Sequence, residues 1–122
     1  MEIEIKHNFN MPIYMQLYEK IKEQIIYGKL KRGDKLPSYR ELAKLCNVSL
    51  VTVTKAYGLL NEEKLIVASQ QGCFISENAA AIAVDYHMQQ IEDKLKAAIG
   101  SAKTVDISLD ELHILINELW NE

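Results

Sequence analysis

The sequence predicts a mainly α-helical fold with one small β-hairpin, arranged as a winged helix-turn-helix followed by a two-helix tail. Three observations predict it. Ser38 and Glu41 have the spacing of a capping box, and a second capped helix begins soon after at Ser49. Two β-prone runs, Leu65–Ala68 and Cys73–Ile75, bracket the turn Ser69-Gln70-Gln71-Gly72. Beyond Ser76, Val84, Met88, Ile91, Leu95 and Ala98 step by four, three, four and three, which is a heptad seam.

Taken in order, Asn10-Met11-Pro12 opens a first helix, since a proline in the first turn forfeits no hydrogen bond. Leu17, Ile21 and Ile25 give it one apolar face with Tyr14 and Tyr18 beside them, and Gly28 stops it. Lys31-Arg32-Gly33-Asp34 reads as a turn with positive φ at Gly33. The second helix starts at the Ser38 cap with Tyr39, Leu42, Ala43 and Cys46 on one apolar face, and Asn47 suits a left-handed residue after it. In the third helix, capped by Ser49 and Thr52, Val53, Ala56, Tyr57 and Leu60 form the buried stripe. At about 100° per residue the opposite face carries Val51, Lys55 and Gly58, flanked by Thr52 and Thr54. Gly72 is the special-φ residue of the hairpin. In the tail, Gly100-Ser101 is expected to break the helix. Ser108 and Glu111 then cap a last helix with Leu109, Leu112, Ile116 and Leu119 on one face. The tail thus reads as a helical hairpin with an apolar side. The expected division is residues 11–77 for the winged domain and 78–122 for the tail.

Composition narrows the function. The chain has 122 residues, 48% hydrophobic and 25% charged, as expected of one small globular unit with an appendage. A core of this size gives modest stability alone, so a second copy is the simplest support. No apolar run reaches the roughly 20 residues of a membrane span, and the start Met1–Lys6 lacks the layout of a secretion signal, so the expected location is cytoplasmic. The net charge of −3 hides a division. From Met1 to Ile75, 11 basic residues against 8 acidic leave an excess of 3. From Ser76 on, 3 against 9 leave a deficit of 6. The positive part coincides with the helix pair. Cys46 and Cys73 make no disulfide framework or zinc spacing. Cys46 reads as a small buried hydrophobe, and a redox pair is the other reading. His7, His87 and His113 show no ligand pattern, and no nucleophile–base set or phosphate loop is present, so neither a metal, a cofactor nor an enzyme is expected.

With these elements in place, the chain resembles the GntR family of bacterial transcription regulators. The likeness runs through Pro12–Leu17, Gly28–Ala43, Val48-Ser49, Thr52-Val53 and Lys55–Tyr57 to Gly72–Ile75, and is densest at Leu36-Pro37-Ser38-Tyr39-Arg40-Glu41-Leu42-Ala43. The short remainder resembles the compact YtrA-like branch, whose two-helix tail dimerises. The resemblance implies a sequence-specific DNA-binding regulator, most simply a homodimeric repressor on a pseudo-palindromic operator of double-stranded DNA. Half-sites about one helical turn apart would follow from two-fold symmetry. It points to Arg40 as a DNA contact, and the guanidinium fork suits phosphate or a guanine edge. Ser49 and Thr52 stand where the third helix would meet DNA, with Ser38 and Lys35 before it and Lys55 placed for phosphate. Leu50, Val51 and Thr54 would complete the reading face, with Leu50 or Val51 against thymine methyls. Gln70, Gln71 and Gly72 would form the wing tip in the minor groove. Val84, Met88, Ile91, Leu95, Leu112, Ile116 and Leu119 are the expected dimer contacts. A small-molecule effector is an open partner of unknown identity.

This chain departs from the family pattern at Leu50, at Thr54, in the wing and just before it. Leu50 and Thr54 stand where polar or arginine residues are common. The wing has Gln70 in place of one glycine and no charge of its own, and Lys64 replaces a common glycine before it. A shallow salt dependence is therefore expected, since each neutralised phosphate contributes about one unit of log–log slope. The rival reading is a winged-helix protein-interaction module without sequence-specific DNA binding, motivated by the apolar Leu50 and Val51.

Overall fold

In a computed structural model that describes residues 2–7 and 10–122, the order is α1 (Ile13–Ile26), α2 (Tyr39–Cys46), α3 (Leu50–Glu62), β1 (Ile66–Ser69), β2 (Gly72–Ile75), α4 (Ala79–Thr104) and α5 (Leu109–Trp120). The architecture is mainly helical with a two-stranded antiparallel sheet, as the periodicities predict. The chain forms two compact units, Met1–Tyr86 and His87–Glu122.

In the first unit, Leu17, Ile21 and Ile25 of α1 and Val53, Ala56, Tyr57 and Leu60 of α3 are all buried. Leu42, Leu65, Ile66, Ile75 and Ala79 close the same core. Burying each large apolar side chain contributes about 1.5–3 kcal/mol before the entropy of ordering is subtracted. Pro12 precedes α1 rather than lying in its first turn. Its ψ of 149° is extended, and its carbonyl accepts from the N–H groups of Met15 and Gln16, both at 3.1 Å. Each of the first three helices ends on a left-handed residue: Gly28 (φ 78°), Asn47 (φ 53°) and Lys64 (φ 62°). After α3 the N–H groups of Lys64 and Leu65 donate to the carbonyls of Asn61 and Leu60, each at 3.0 Å. That is a Schellman closure with lysine at the position glycine favours.

Two features of this unit leave no periodic signal. Gln16 is buried, and its amide group holds the N-terminal segment. Nε2 donates to the carbonyls of Lys6 and Met11, and Oε1 accepts from the Lys6 N–H, all at 2.9 Å. Ile3 and Ile5 thereby pack on the core. The stretch before α2 also extends the hairpin. The Leu36 N–H donates to Cys73, the Ile75 N–H to Asp34 and the Gly33 N–H to Ile75, at 2.8–2.9 Å, with Lys35 bridged to Phe74. Cys46 and Cys73 are free thiols, and burial pushes both above the ordinary thiol range, which suits packing better than redox chemistry.

In the second unit, α4 runs through Gly100 and Ser101 to Thr104, so the expected break there is wrong. A glycine in an exposed helix costs only about 1 kcal/mol against alanine, and the flanking residues Ala97, Ala98 and Ala102 favour helix. The turn comes later, at Asp106 (φ 60°), where the Ile107 N–H donates to Ala102 at 2.9 Å. Ser108 and Glu111 form the expected capping box of α5. Within this unit Ala102 is buried and Leu112 half-buried, whereas Met88, Ile91, Leu95, Ile116 and Leu119 are exposed. The tail helices therefore do not bury their apolar side in each other as a closed hairpin would.

Candidate nucleic-acid interface

The second and third helices are set by their caps and by one buried tyrosine. Ser38 Oγ accepts from the Glu41 N–H at 3.1 Å and the Ser38 N–H donates to Glu41 Oε1 at 3.0 Å, completing the capping box. These bonds from Ser38, with a smaller contribution from the Lys35 charge, hold the Glu41 carboxyl below the usual carboxylate range. Asn47 then turns the chain left-handed, and Val48 N–H donates to Ala43 at 3.0 Å. Ser49 opens α3, with its Oγ accepting from the Thr52 N–H at 3.1 Å. Tyr57 packs edge-on against Tyr39, with ring centroids 5.0 Å apart, and its hydroxyl donates to the Pro37 carbonyl at 2.8 Å. Burial pushes the Tyr57 phenol well above its ordinary value.

This scaffold presents one exposed surface. Arg40, at the start of α2, is exposed and makes no ion pair among the described residues. It lines a shallow groove with Glu41, Ala43, Lys44 and Leu50. Leu50 also lines a neighbouring groove with Tyr14, Val51, Thr54, Lys55, Gly58, Leu59 and Glu62. Lys55 lies with its Nζ 4.7 Å from the centre of the Tyr14 ring, a cation–π contact that steadies the ammonium. Thr54 Oγ1 donates to the Leu50 carbonyl at 2.9 Å, and the hydroxyls of Ser49 and Thr52 meet at 2.7 Å.

The wing holds Gln70 and Gln71 exposed at the tip of a two-residue loop between the paired residues Ser69 and Gly72. Gly72 has φ of 126°, and a Cβ there would lie 2.9 Å from Lys35 Cε. Lys35 therefore crosses the wing and brings it a positive charge that the loop sequence lacks. Thus Lys35, Ser38, Arg40, Ser49, Leu50, Val51, Thr54, Lys55, Gln70 and Gln71 are exposed, and Thr52 and Gly72 are half-buried. Tyr14 is the residue sequence reasoning missed; its place beside the apolar face of α1 signalled packing, not support of a cation.

No helix among the described residues is long and apolar enough to cross a membrane, and no three metal-ligating side chains cluster among them. The family described as "Bacterial regulatory proteins, gntR family" matches residues 13–75. The chain is 39% identical over 118 residues to the HTH-type transcriptional repressor YtrA of Bacillus subtilis (strain 168), covering 96% of this chain and 91% of that protein. It is similar to the structure of YtrA from Sulfolobus acidocaldarius, a GntR-family transcription factor, at 36% identity and TM-score 0.59, covering 73% of this chain and 97% of that one. It is also similar to the AraR DNA-binding domain solved in complex with operator ORX1, at 30% identity and TM-score 0.55, covering 62% of this chain and 96% of that one. These likenesses are to regulators rather than enzymes. A winged helix-turn-helix with this match over more than half its length belongs to the GntR family, and the chain is a DNA-binding transcription regulator of that family.

Proposed function

We propose that the chain is a homodimeric repressor that binds a pseudo-palindromic operator, with residues 11–77 reading DNA and residues 78–122 joining two copies. One observation carries the DNA half: Arg40, with no ion pair among the described residues, and the capped N-terminus of α3 share one exposed surface. Arg40 binds phosphate or a guanine edge. Ser49 and Thr52 offer the helix N-terminus to phosphate, Lys55 and Lys35 neutralise flanking phosphates, and Gln70 and Gln71 enter the minor groove. The repressor sign rests on the name of the Bacillus subtilis relative.

The dimer rests on the tail. Val84, Met88, Ile91 and Leu95 leave a stripe of exposed apolar residues along α4, and Leu109, Ile116 and Leu119 do the same on α5. Contiguous apolar surface of this kind is costly in water and is covered by a partner. A second copy covers it with the same stripe and places two α3 helices in successive major grooves. The first turn of α4 packs on the DNA-binding core through Ala79 and Ile82.

The test is binding-site selection with the purified chain, followed by gel shifts on the selected DNA. The reading expects an inverted repeat with half-sites about 10 base pairs apart. Failure to enrich any DNA favours the protein-interaction rival.

A further inference from the structure

We infer that α3 reads its half-site chiefly through thymine 5-methyl groups, with Leu50 and Val51 as the specificity-determining residues. The inference rests on the DNA-binding reading above and deepens it. The usual instruments of base readout in the major groove are side-chain hydrogen-bonding groups aimed at base edges. On this helix they are engaged elsewhere. The Thr54 hydroxyl is turned back to the Leu50 carbonyl at 2.9 Å. Ser49 and Thr52 hydroxyls bond each other at 2.7 Å, and Ser49 also caps the helix. Lys55, the one cation on this face, is drawn over the Tyr14 ring.

What α3 does present is apolar. Val51 is 71% exposed and Leu50 40%, and a Cβ placed on Gly58 would meet nothing within 4 Å. At about 100° per residue, Leu50, Thr54, Gly58 and Val51 fall within one arc of the helix. Cations flank the arc on both sides. Arg40 and Lys44 share a groove with Leu50, and Lys55 shares the other groove with Leu50 and Val51. An apolar strip between cations matches a surface of methyl groups between phosphate rows. Among the four bases only thymine puts a methyl in the major groove.

The experiment uses the full chain and its selected operator. Each half-site thymine is replaced in turn by deoxyuridine, which removes only the methyl, and affinity is read by fluorescence anisotropy. At one or more positions facing α3, affinity is expected to fall about fourfold per methyl, the worth of one buried methylene. The same replacement should cost Val51→Ala or Leu50→Ala almost nothing, because those variants no longer reach the methyl. Both side chains are surface groups, and circular dichroism checks that the variants fold. Uracil tolerated at every position, or an effect undiminished in both variants, overturns the apolar readout while leaving the regulator reading intact. A chain that selects no DNA overturns both.

Discussion

The Tyr57 hydroxyl donates to the Pro37 carbonyl across 2.8 Å, and this bond ties the middle of α3 to the residue before the α2 cap. The two reading elements are thereby held by the core rather than by the short turn between them. Tyr57 is 1% exposed and Pro37 half-buried, so water can replace the bond only in part. Removing the hydroxyl leaves a part-buried carbonyl without this donor. Tyr57→Phe should lower stability by about 1–2 kcal/mol with an unchanged urea m-value. The same residue gives a pH signature. Its phenol is raised above 10.0 in the folded chain, mainly by burial, so the unfolded chain ionises first. The stabilisation is whole below pH 10 and drains as pH rises beyond it. Cys46 and Cys73, raised from 9.0 by burial, begin that decline slightly earlier. Urea midpoints against pH should show wild type losing stability more steeply than Tyr57→Phe above pH 10.

Lys64 occupies the left-handed region at φ 62° in the Schellman turn that ends α3. A side chain there costs about 1–2 kcal/mol, and glycine removes most of it. Lys64→Gly should raise stability by about 1 kcal/mol, measured as a higher urea midpoint. An unchanged or lower midpoint would show that the turn gains from the lysine.

Gly72 is required for its φ of 126°, and a Cβ there would also lie 2.9 Å from Lys35 Cε, the end of a flexible side chain that can move aside. Gly72→Ala should cost about 1–3 kcal/mol and displace Lys35 from the wing. Lys35→Ala keeps the backbone and removes only the charge. It should weaken operator binding and flatten the log–log salt slope by about 0.9 for each phosphate no longer neutralised. A slope identical to wild type would remove Lys35 from the interface.

Leu95 and Ile116 lie on the exposed apolar stripes of α4 and α5. Leu95→Glu or Ile116→Glu puts charge where a second copy would pack. Sedimentation should then show monomers, with operator affinity reduced by at least tenfold because the second half-site is no longer linked. A truncation test should keep residues through Tyr86, because Ala79 and Ile82 belong to the DNA-binding core. A cut after Ser76 would remove core packing along with the tail.

Much of the fold could be read from short-range chemistry. The caps at Ser38, Ser49 and Ser108, the stripe Val53–Leu60 and the positive φ of Gly33, Asn47 and Gly72 are local consequences of residue type. The features that escape a sequence reading are set by distant partners or by competition. Gln16 binds Lys6 through the tertiary fold, and a glutamine beside an apolar stripe gives no sign of that. The Gly33–Leu36 pairing with β2 is too short, and too close to Pro37, to read as a strand. Gly100 reads as a breaker, but one glycine does not outweigh its helix-forming neighbours. At the interface, sequence places Arg40, Ser49 and Lys55 on the helix pair. It does not reveal that Lys35 crosses the wing or that Tyr14 supports Lys55.

In the proposed complex the helix pair binds DNA through Arg40. The most direct measurement is operator affinity by anisotropy for wild type and Arg40→Ala, with circular dichroism to confirm equal folding. Removing a bidentate contact costs about 1–3 kcal/mol at each half-site, so a dimer should bind at least tenfold more weakly. Equal affinities for the two proteins would remove Arg40 from the DNA interface.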